Sequence, residues 1–222
     1  MGMGARMAMH TDAQIITLSQ WLSPAYPVGA FAYSHGLESL VETGAVTDAE
    51  SLLDWLGDML RFGAGLSDAR FLIAAYRADA QDVGAVDALC RAFAPSKERL
   101  QETDLQGAAF CEVTASVWTQ QIAGLTYPVA VGRAAALEGL PPTLTARLYL
   151  QAFVSNLVAA AQRLLPIGQT EGQRLIHTLA PLLAEITDQA LNGSLDDLSG
   201  TAFLADIAAM KHETQYSRIF RT

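Results

Sequence analysis

The side chains able to do chemistry are few and scattered. Histidines stand at His10, His35, His177 and His212, with no HExxH run, no CxxC and no carboxylate-bracketed pair of the kind a zinc or nickel site needs. Ser34 and His35 are neighbours, and neighbours on a helix point in different directions, so the two cannot alone make a nucleophile and its base. Glu38 and Glu42 lie four apart, a spacing that reads as a solvated helix face rather than an acid–base couple. His212-Glu213 is a single pair of neighbouring ligands, too little to define a metal site. Cys90 and Cys111 sit in apolar surroundings (Ala-Leu-Cys and Ala-Phe-Cys), which reads as two buried thiols of a reducing compartment rather than a disulfide framework. On these grounds we expect no catalytic residue, no metal ligand set and no resident cofactor.

The elements that must position any site are helical. The chain has 222 residues, of which 51% are hydrophobic and 17% charged, and Ala and Leu outnumber the β-branched residues. We expect an all-α, single-domain helical bundle of about eight to ten helices. Residues 1–10 read as a disordered N-terminus, 11–210 as the helical domain, and 211–222 as a partly disordered C-terminal arm. The expected helices span 11–21, 31–43 (ending at Gly44), 47–60, 67–80, 82–93, 96–118, 129–137, 144–165, 168–191 (broken or kinked at Pro181) and 202–210. A formal net charge of −9 argues against nucleic-acid binding, which needs a Lys/Arg patch. No apolar run approaches the ~20 residues of a membrane span, and the N-terminus lacks a signal-peptide core, so we expect a cytoplasmic protein.

Three strings carry more glycine, proline and polar side chains than a core helix needs. The first is SPAYPVGAFAYSHGLE at 23–38, where two prolines fix a turn and Gly36 marks a close approach by another backbone. The second is LLPIGQTEGQR at 164–174, a helix stop and a restart rich in amides. It lacks the GK[ST] ending of a nucleotide-binding loop. The third is HETQYSRIFR at 212–221, where aromatics and arginines interleave without apolar periodicity. These are residue types enriched at interface hot spots.

Together and in this order, the three strings resemble the signature blocks of the UreF family of urease accessory proteins. Weaker similarity continues in Lys97-Glu98-Arg99 with Gln106-Gly107 and in YPVAVG at 127–132, so the likeness spans nearly the whole chain. The resemblance implies a dimeric helical scaffold without enzymatic activity. Its partners would be a UreD/UreH-like accessory protein, the nickel-carrying GTPase UreG and apo-urease, with nickel handled by the complex rather than bound firmly here. Carried over by matching positions, it implies contacts to the UreD/UreH-like partner from His212, Glu213, Gln215, Tyr216, Ser217, Arg218, Phe220 and Arg221. It implies contacts to the GTPase from Phe31, Tyr33, Ser34, Gly36, Glu38, Arg163, Gln169 and Gln173, with Arg163 tuning GTPase output. The alternatives from other classes are a helical small-molecule-binding enzyme with a pocket between helices, or a ligand-sensing regulator. The missing basic recognition helix disfavours the regulator.

Overall fold

Caps and prolines set most of the helix starts. The computed structural model describes residues 11–222; the segment 1–10, read above as disordered, lies outside the described residues. Helix α1 (Asp12–Trp21) opens where the Thr11 hydroxyl accepts the Gln14 amide and the Gln14 side chain returns to the Thr11 amide. After a 3-10 turn at Ala30–Ala32 comes the short helix α2 (Leu37–Glu42). Helix α3 (Ala49–Phe62) is capped by Asp48 with Ser51. Helices α4 (Ala64–Arg77) and α5 (Val83–Ala92) follow, and Ser96 caps α6 (Lys97–Trp118). Proline in the first turn opens both α7 (Tyr127–Leu137) and α8 (Pro142–Leu164). Last come α9 (Gln169–Asn192) and α10 (Phe203–His212).

Ten α-helices and no strand among the described residues agree with the all-α class. Helix α4 is the hub, packing on α3, α5, α7, α8 and α9, while α6 lies on α7 and α10 lies on α2 and α6. A Cβ placed on Gly132 of α7 would overlap the Leu72 carbonyl of α4, so glycine allows the two backbones to meet. Trp21 closes the core at one side, edge-on to Phe110 and to Trp118. Cys90 and Cys111 are buried free thiols, and burial pushes the Cys90 thiol up to about 12, which leaves it inert as a nucleophile.

Two segments depart from the sequence reading. Helix 31–43 is broken: only Leu37–Glu42 is α-helical, because His35 and Gly36 take left-handed backbone (φ 56° and 79°). At Gly36 the reason is space, since a Cβ there would collide with the Ala209 amide of α10. The close approach read at Gly36 is therefore made within the chain. Helix α9, in contrast, runs unbroken through Pro181. That proline lies on the exposed side, where water can bond the His177 carbonyl left without its amide partner.

Candidate partner-binding site

The first half of α6 buries a polar face. Glu98 and Arg99, then Glu102 and Gln106 three to four residues on each time, share one face of the helix and are all buried. Buried charge is costly unless paired, and here the pairing is dense. Arg99 pairs with Glu102, Gln106 Nε2 donates to Glu102 at 2.9 Å, and His35 Nε2 sits 3.0 Å from both Arg99 Nη1 and Glu102 Oε1. The left-handed step at His35-Gly36 turns that imidazole inward, edge-on to Phe153.

The C-terminal segment is laid across this polar face. His212, fully buried at the end of α10, has Nδ1 2.7 Å from Glu98 and Nε2 3.2 Å from Glu38. The two carboxylates face opposite ring nitrogens, so the three groups do not converge on one point as metal ligands would. Arg218 Nη1 donates to Glu98 at 2.6 Å. The Glu38 carboxylate also accepts the Ile219 and Phe220 amides at 2.7 and 2.9 Å. The chain then hydrogen-bonds to residues 32–34 through its backbone. The Arg221 amide donates to the Ala32 carbonyl, and the Ser34 amide and hydroxyl both donate to the Thr222 carbonyl. The Thr222 hydroxyl finishes on Glu102 at 2.9 Å. Read from sequence as a partly disordered arm too polar to pack, residues 211–222 are instead held on the body, with His212, Phe220 and Thr222 buried. Apolar periodicity could not reveal this, because the anchors are carboxylates and amides.

Two cavities flank the network, of about 440 Å³ and about 260 Å³, and His35, Asp68, Arg99 and Thr103 line both. Burial raises the Asp68 carboxyl to about 6 against the pull of Arg99 and the Tyr149 hydroxyl, which donates to it at 2.9 Å. Burial would also raise Glu102, but Arg99 and His35 outweigh it and bring that carboxyl down to about 2. Burial and the neighbouring Arg99 depress His35. The Ser34 hydroxyl is committed to Thr222, so the Ser34-His35 pair is no nucleophile and base here either.

Outward from this framework lie two apolar surfaces. On α10, Phe203, Leu204, Ile207 and Met210 are exposed in helical spacing, and Tyr216 and Ile219 continue the exposure along the tail. On the 3-10 turn Phe31 is 72% exposed. The residues assigned by resemblance divide accordingly. Phe31, Arg163, Gln169 and Gln173 lie at the surface, whereas Tyr33, Ser34, Gly36 and Glu38 are interior and hold the turn and the tail. In the tail, Glu213 and Gln215 are half-buried, Tyr216, Ser217, Arg218 and Arg221 are exposed, and His212 and Phe220 face inward. Glu38, read as part of a solvated face, is instead buried against His212 and the Ile219 and Phe220 amides, while Glu42 is exposed. Glu102 and Asn156 escaped the sequence reading. The signal for Glu102 was present, as a polar stripe 98-99-102-106 on one face of a long helix. Asn156, whose amide donates to the Ala30 carbonyl at 2.9 Å, left no signal.

The family model described as UreF matches residues 46–180. A urease accessory protein UreF of Ruegeria pomeroyi is 59% identical over 217 residues, covering 97% of this chain and 100% of the relative. Proteins of the same name from Roseobacter denitrificans and a Ruegeria species are 51% and 57% identical, covering 98% and 96% of this chain and 98% and 100% of the relatives.

Proposed function

The chain belongs to the UreF family of urease accessory proteins, and we propose that it serves as a non-enzymatic scaffold for nickel insertion into urease. In this reading it joins a UreD/UreH-like accessory protein and a UreG-like GTPase to apo-urease, works as a homodimer in the cytoplasm, and passes nickel as cargo. The observation that carries the reading is the apolar face of α10. Four large hydrophobic side chains stand in water on a helix whose other side is pinned by a buried polar network. A monomer gains nothing by rigidly displaying such a face unless a partner covers it. We assign this face, with Tyr216 and Ile219, to the UreD/UreH-like partner. We assign the Phe31 turn, with Arg163, Gln169 and Gln173, to the GTPase.

Support for a non-enzymatic role comes from the commitment of the polar groups to one another. Among the described residues no helix is long and apolar enough to cross a membrane. Co-expression with the UreD and UreG homologues of the same organism tests the reading. Leu204→Asp and Ile207→Asp should each abolish co-purification with the UreD homologue while leaving helical content unchanged. Capture at the unsubstituted level would overturn the assignment of α10. GTP or urea turnover by the purified chain, above a mock-purified control, would overturn the scaffold.

A further inference from the structure

The larger cavity, of about 440 Å³, runs from the surface into the middle of the helix bundle. Ser19 and Phe31, both exposed, stand at its mouth, and Leu18, Leu148 and Phe153 line its walls. Asp68 of α4, Arg99 and Glu102 of α6 and Tyr149 of α8 make its inner end. Two of these groups are already committed. Arg99 is held by Glu102 and His35, and Glu102 also accepts from Gln106 and from the Thr222 hydroxyl. Asp68 is the exception. The Tyr149 hydroxyl donates to its Oδ2 at 2.9 Å, and among the described residues no cation pairs with it, since Arg99 pulls on it only from beyond ion-pair distance. Protein surrounds Asp68 on all sides, yet the residue keeps accessible surface and lines both cavities, as a side chain facing an internal void does.

We propose that this cavity binds a small organic cation, a primary amine on an aromatic or alkyl body, with its ammonium on Asp68 and its body along the apolar walls. The volume and the make-up, apolar walls with a few polar groups at one end, are those of a small-molecule site between helices. With Asp68 ionised, the charges at the inner end sum to minus one, because Arg99 balances only Glu102. An ammonium supplies the missing charge together with hydrogen-bond donors for the carboxylate. A neutral apolar guest would leave that carboxylate unpaired in a dry cavity, and an anion would be repelled by it. A metal ion needs several donors at once, and among the described residues no three metal-ligating side chains converge. The mouth opens beside Phe31, so under the function proposed above an occupant lies beneath the face assigned to the GTPase. The site itself does not depend on that reading.

Amide chemical shifts of the full chain test the site with benzylamine and its uncharged counterpart, benzyl alcohol, at about pH 8, where Asp68 is ionised. Benzylamine should move the Ala152 and Ser155 amides of the cavity wall saturably. Benzyl alcohol should bind at least about tenfold more weakly. Asp68→Asn keeps the shape and should bring the amine down to the level of the alcohol. Ala152→Phe fills the cavity one turn along α8 from Tyr149 and should remove both responses. Equal binding of the two probes would overturn the cation assignment, as would an unchanged amine affinity in Asp68→Asn. The absence of any saturable shift with benzylamine, or full binding in Ala152→Phe, would overturn the site. The comparison of probes uses the unsubstituted protein, so it decides the matter even where a variant fails to fold. No partner homologue enters the measurement, so a failed scaffold leaves the site standing and an empty cavity leaves the scaffold standing.

Discussion

Two seams hold this molecule together, and they are made of different material. The α4–α7 seam is backbone against backbone, with Gly132 under the Leu72 carbonyl and Ala130, Val131, Ala134 and Ala135 fully buried around it. The seam between α6 and the C-terminal segment is polar, with three glutamates, Arg99 and two histidines bonded in its interior and Arg218 at its edge. Opening the first exposes apolar surface and nothing in water compensates, so it parts only with the fold. Opening the second returns carboxylates and amides to water, which bonds them nearly as well. A seam of the second kind suits a segment that must serve a partner as well as its own body.

The contrast can be tested first where it should be greatest. Gly132→Leu drives a side chain into the Leu72 carbonyl, which is backbone and cannot yield. We expect a loss of about 3 kcal/mol or more, or no folded protein at all, read by urea unfolding and soluble yield. Near-normal stability would mean that the α4–α7 seam is looser than its geometry implies.

Next in size comes the pH dependence, which the buried carboxyls in and beside the polar network should carry and the α4–α7 backbone contact should not. Asp68 holds its proton up to about pH 6 when folded, against 3.8 for the free group, so the unfolded chain deprotonates first. Stability from this group is full below about pH 4 and falls as pH rises through 6, by about 3 kcal/mol in all. Glu102 has the opposite sign: with its carboxyl brought down to about 2 from 4.5, its contribution is full above 4.5 and is lost as pH falls through 2. Asp68→Asn should therefore abolish the decline between pH 4 and 6 and leave the acid limb intact. Val131→Ala, on the apolar seam, should lower the whole curve without changing its shape. A changed shape in Val131→Ala would break the comparison.

Smaller still should be Glu38→Gln, which keeps the shape and one acceptor oxygen but weakens the bonds to His212 and to the Ile219 and Phe220 amides. Because the tail can detach rather than leave buried groups unpaired, we expect a cost of about 1–2 kcal/mol. Limited proteolysis should then cut after Met210 faster than anywhere in α4. Smallest is Phe31→Ala. Its exposed ring should shift unfolding by less than about 0.5 kcal/mol while GTPase capture in the co-expression assay falls. A large loss of stability there would mean that the ring belongs to the fold rather than to a partner.

Local chemistry written in the chain determined the helix starts: the Thr11 cap, the Ser96 cap, and the prolines at 128 and 142 each act within a turn of their own position. The three motif strings likewise marked the turn, the α8–α9 junction and the tail to which we assign partner contacts, because glycine, proline and interleaved aromatics are visible without a fold. Only the tertiary structure decided which of those residues face out. Glu38 sits four residues before Glu42 on what reads as one polar face, yet Glu42 meets water and Glu38 meets a tail 174 to 182 positions further along the chain. His212 sits at the head of a string read as a free arm, and it is enclosed by Glu98 and Glu38. Periodicity reports which side of a helix is apolar, and therefore which side faces the core. Charge pairing across such separations leaves no periodic trace, since a carboxylate destined for a buried partner and one destined for water are the same residue until the chain has folded.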